Sequence, residues 1–103
     1  MADFNGSEGS LISAATAGQW TKNYRDAHPT WIKGHFFGKN KIGDLLRQTG
    51  SMGIRVYYAI DDSGVQQLIM VAAKANKDDM LEQVLDMSIP CPDQCGANNV
   101  LNS

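Results

Sequence analysis

The sequence predicts an α+β fold: two N-terminal helices packed on a small antiparallel sheet, built around a β-hairpin at about 54–74, with an irregular Pro/Cys tail. Three observations carry this. Ala17, Trp20, Tyr24 and Ala27 recur at helical spacing. Residues 54–61 alternate between two faces, as a strand does. Pro90 and Pro92 flank Cys91 and exclude a regular helix there. At 103 residues the chain suits one domain. Such a domain buries roughly 60–65% of the surface its unfolded chain exposes, enough for one modest core. The expected division is a flexible N-terminus at 1–12, a single α+β domain at 13–96, and a polar C-terminal tail at 97–103.

The first twelve residues are small and polar, and Phe4 reads as a stray apolar group. Ser13 is a good N-cap. The helix after it should end by Ala27 or His28, because Pro29 biases His28 away from helical angles. Residues 30–38 fit either a helix or a short extended segment. Ile42, Leu45 and Leu46 mark one helical face, which places a second helix at about 38–48 with Gly50 as its stop. Ile54, Val56, Tyr58 and Ile60 then point one way, and Arg55, Tyr57 and Ala59 the other. Residues 61–64 form a turn in which Gly64 is free to take a positive φ. Residues 66–73, QQLIMVAA, read as apolar on both faces and as a buried strand. Residues 80–88 fit a helix or a third strand. The spacing of Met80, Leu81, Val84, Leu85 and Met87 favours the helix. The proposed cover of the sheet is Trp20, Tyr24, Phe36, Phe37, Ile42, Leu45 and Leu46, lying over Ile54, Val56, Tyr58, Leu68 and Met70.

Net charge is −2 by formal count. Through Arg55 there are seven basic and four acidic residues; beyond it there are two basic and seven acidic. A sequence pI near 5.5 argues against a nucleic-acid binder, which shows a dense basic patch. The charge asymmetry suits a protein partner or a second copy of the chain. The longest apolar run, 68–73, is far short of a membrane span. No basic start leads into an apolar stretch, so a soluble cytoplasmic protein is expected.

Two features have chemical potential. Cys91 and Cys95 lie in a C-P-D-Q-C-G segment with four open readings: a disulfide, half of a metal site, a redox dithiol, or two reduced thiols. Structural zinc wants four ligands, so Cys91 and Cys95 supply half of a site. His28 and His35 are spaced unlike the usual pair and lie far upstream. A dimer pooling two cysteine pairs is the alternative. A cysteine nucleophile would need His28 or His35 brought beside it by the fold. The second feature is Arg55 beside Tyr57 on one strand face, two residue types enriched at binding hot spots. Asp61-Asp62 and Asp78-Asp79 read as polar turn residues, without the ligand spacing of a calcium loop.

The segments W-x2-N-Y-R at Trp20, F-F-G-K at Phe36, G-I-R-V-Y-Y-A-I-D at Gly53 and P-C-P-x2-C-G at Pro90 together resemble a group of small uncharacterised bacterial proteins of about this length. The resemblance spans roughly 13–96. It implies a bacterial single-domain protein and a cysteine tail with a purpose, and it brings no activity with it. The function expected from the residues is a non-enzymatic protein-interaction module, with a homodimer suggested by the doubly apolar second strand. The alternative is a thiol- or zinc-linked protein using Cys91 and Cys95. A Cys/His enzyme ranks last.

Overall fold

The computed structural model describes residues 2–86 and 88–103. The fold is α+β and sorts into two compact units. One holds the N-terminal residues through Glu8 together with Phe37–Ser88; the other holds Gly9–Phe36 and Ile89–Ser103.

In the first unit, α2 (Lys39–Leu46) precedes an antiparallel sheet of β2 (Ser51–Ile60), β3 (Gln66–Lys74) and β4 (Asp79–Leu85), in that spatial order. The β2–β3 hairpin pairs Ile54 with Ala72, Val56 with Met70 and Tyr58 with Leu68. Its turn is held by Asp61, whose Oδ1 accepts from the backbone N–H groups of Ser63 and Val65, both at 2.9 Å. Gly64 takes a φ of 80° there, open to glycine at little cost. α2 packs on β2 and β3. Leu45 projects into a core with Ala72 and Met80, and half-buried Ile54, Met70 and Leu85 surround it.

Residues 79–85 form a strand, the alternative to the helix that the spacing within 80–88 favours. The apolar spacing misleads because β4 carries an irregularity: Val84 pairs with Val71, yet Met80 pairs with the next residue, Ala72. The extra residues 81–83 break the two-residue alternation that marks a strand. Met87, the last of the helical set, lies outside the described residues.

In the second unit, α1 (Ala14–Ala27) starts where predicted. Ser13 is extended, and its Oγ accepts from the Thr16 N–H at 3.0 Å. The helix closes at His28, whose N–H bonds the Tyr24 carbonyl at 2.9 Å. Of the predicted stripe, Ala17 and Tyr24 are half-buried, whereas Ala27 is exposed and Trp20 stands 61% exposed. The buried position is Gly18. The C-terminal residues lie against it, so close that a Cβ on Gly18 would sit 2.8 Å from the Val100 Cβ. Arg25 Nη1 donates to the Leu101 carbonyl at 2.6 Å, and Lys33 Nζ donates to that of Asn102 at 2.8 Å. The polar tail is thus docked through its own carbonyls. β1 (Gly34–Phe36) and β5 (Ile89–Cys91) pair antiparallel, Gly34 opposite Cys91 and His35 opposite Pro90. Of the two expected helices, α2 belongs to the unit that holds the hairpin and α1 to the other.

Candidate interaction surface

The two faces of the β2–β3 hairpin have different characters, and the alternation of β2 divides them. Arg55 and Tyr57 lie on one face, as the sequence indicates, and the structure adds Asp79 from the start of β4. Arg55 Nη1 donates to Asp79 Oδ1 at 2.5 Å and to the Lys77 carbonyl at 2.9 Å. Tyr57 donates its hydroxyl proton to Asp79 Oδ2. The shared carboxylate explains three shifts. Hydrogen bonding to Asp79 holds the Arg55 guanidinium above its ordinary value. The same bond keeps the Tyr57 phenol protonated to higher pH. The Tyr57 hydroxyl, then Arg55, hold Asp79 below the usual carboxylate range. A weakened base beside a weakened acid is not poised for proton transfer near neutrality. The trio works as a brace between β2 and the β3–β4 turn.

Phe4, read from the sequence as a stray group, covers this brace. Its ring lies 5.4 Å from the Arg55 guanidinium carbon and 5.9 Å from Lys77 Nζ, within cation–π range. Its N–H bonds the Ala75 carbonyl at 2.8 Å. The turn that follows is fastened by Glu8, whose carboxylate accepts from the Asn5 and Gly6 N–H groups at 2.8 and 3.0 Å. The Asn5 amide, before the other donors, holds the Glu8 carboxyl below its ordinary value. Gly6 has a φ of 89°, and a Cβ there would lie 3.5 Å from the Met52 carbonyl. Residues 4–8 thus form a strap beside the start of β2. A cleft of about 410 Å³ separates them, lined by Phe4, Glu8, Met52, Ile54, Arg55 and Val56 among others.

The opposite face carries Ile54, Val56, Tyr58 and Ile60. α2 covers its Ile54 end. Beyond that, Tyr58 is 88% and Ile60 77% exposed, and Val56 is exposed as well. The expected cover over Val56 and Tyr58 is therefore corrected. α2 has eight residues, about 12 Å of helix at 1.5 Å per residue. That is too short to roof a ten-residue strand, about 34 Å long at 3.4 Å per residue.

Cys91 and Cys95 are joined in a disulfide, with their Cα atoms 4.8 Å apart. The Lys33 N–H bonds the Cys91 carbonyl at 2.5 Å, and the Gln94 N–H bonds that of Pro90 at 3.0 Å. Of the four readings, the structure realises the disulfide. Zinc ligation by this pair would first need reduction to thiolates. Among the described residues, no three His, Cys, Asp or Glu side chains gather as a metal-binding group. His28 stacks on Trp31, ring centroids 3.7 Å apart. His35 lies one register step from Cys91, and burial lowers its pKa.

No helix among the described residues is long and apolar enough to cross a membrane. In comparisons with known proteins, the chain matches no family model, no curated protein and no solved structure.

Proposed function

We propose that the protein is a non-enzymatic interaction module that associates with a second copy of itself. One observation carries this reading: the apolar face of the sheet is roofed by α2 only at its Ile54 end, leaving Val56, Tyr58 and Ile60 in solvent. A contiguous exposed apolar row on a small domain marks an interaction site. The brace of Arg55, Tyr57 and Asp79 supports it by holding β2 to the β3–β4 turn from the other side. Light scattering on the full chain tests it. A particle of twice the 11.2 kDa chain mass at micromolar concentration is expected, and a persistent single-chain mass refutes it.

A second reading is favoured by the Cys91–Cys95 bond: a thiol-linked protein whose tail responds to redox conditions. Changing both cysteines to serine separates the two. Unchanged stability and assembly in reducing and oxidising buffer would remove the thiol reading and leave self-association standing.

A further inference from the structure

We infer that the second copy adds to the open edge of β2, strand against strand and antiparallel, with the two-fold axis at Tyr58. The inference rests on the self-association reading and names its surface. β2 is an outer strand of its sheet, with β3 on its inner side. Exposed edges are usually blunted with lysine, proline or a covering segment. Between Ile54 and Ile60 the chain carries neither lysine nor proline, and its one charge is Arg55. The strap of residues 4–8 flanks the other end, where Gly6 lies beside the Met52 carbonyl. The stretch left for a partner strand runs from about 55 to 61.

Register follows from the side chains. Residues directly opposite across an antiparallel pair share a face, so a one-residue slip would set apolar against polar faces. An axis at Tyr58 places Tyr58 against Tyr58 of the second copy, and Val56 against its Ile60. Tyr58 then lies beside its counterpart, and Val56 beside Ile60 at each end, cross-strand pairs that take part of the exposed apolar row out of solvent. The same register sets Arg55, which already bonds Asp79, opposite Asp61 of the second copy, so that opposite charges face each other at both ends of the pairing. An axis at Tyr57 would set Arg55 against Ala59 instead, and one at Ala59 would set Val56 against Asp62. The charge match selects Tyr58, and the product is a continuous six-stranded sheet.

Cysteine cross-linking in the full chain tests the register, alongside light scattering. Tyr58→Cys should give a covalent dimer on a non-reducing gel. Val56→Cys and Ile60→Cys should cross-link when mixed and not when separate. Tyr58→Lys, at an exposed position that leaves the circular dichroism unchanged, should return the scattering mass to that of a single chain. A scattering dimer with neither cross-link would overturn the β2 edge and keep self-association. A single-chain mass at every concentration would overturn both.

Discussion

Asp79 receives two side-chain hydrogen bonds, from Arg55 and Tyr57, and the consequences for pH have a definite sign. Its carboxyl is held below its ordinary value, as is that of Asp61 through the Val65 amide and Gln67. A carboxyl lowered in the folded state contributes stability above its unfolded pKa, and loses it as pH falls through the folded value. Tyr57 is raised, so its contribution is present below the ordinary tyrosine value of about 10 and lost as pH climbs through the folded one. The melting temperature should therefore hold a plateau and fall on both sides. Because the one Tyr57–Asp79 bond lowers Asp79 and raises Tyr57, Asp79→Asn and Tyr57→Phe should each flatten part of both limbs, and calorimetry across pH reads both. An acid limb unchanged in Asp79→Asn would assign it to Asp61 and Glu8, the other two lowered carboxyls. In the core, Leu45 is 2% exposed against Ala72 and Met80. Leu45→Ala should cost about 2–5 kcal/mol in urea unfolding. A loss under about 1 kcal/mol would mean α2 is not seated there.

At the scale of elements, legibility follows how local the determining contacts are. α1 and the β2–β3 hairpin were readable because a serine cap, a following proline and a D-D-S-G turn act within a few residues. β4 was obscured by its irregularity at residues 81–83. β1 and β5 were hidden because each has three residues and its partner lies more than fifty positions away. The strap leaves no periodic trace in the sequence, because a cation–π contact and one backbone bond hold it. The same holds for Gly18, which is small because Val100 lies against it. Gly18→Val should cost about 1–3 kcal/mol by overpacking, even though valine is the better helix former. Amide exchange should show the C-terminal residues released from α1. Unchanged protection there would mean the tail does not depend on this contact. Arg55 and Tyr57 were legible as a surface pair; their partner Asp79 was not, since a carboxylate after a turn looks alike whether braced or free.

The whole molecule divides its burial unevenly. Among the described residues, the buried apolar side chains Leu45, Val71, Ala72, Ala73 and Met80 all belong to the unit containing the β2–β3–β4 sheet. The other unit buries Gly18 and relies on α1, the tail contacts, a two-stranded ladder and the Cys91–Cys95 bond. A two-stranded ladder alone is marginal in water, and a disulfide closing so short a loop adds about 2 kcal/mol or less. The two units should therefore open at different free energies. Hydrogen exchange with mass detection should find the slowest amides in β3 around Val71–Ala73, with α1, β1 and β5 exchanging first. Reduction of the disulfide should speed exchange at Lys33 and along β1, whose ladder ends at Cys91, and leave β3 unchanged. If β3 and α1 instead lost protection together in denaturant, and reduction accelerated both, the chain would be one cooperative body and its division of burial would have no energetic meaning.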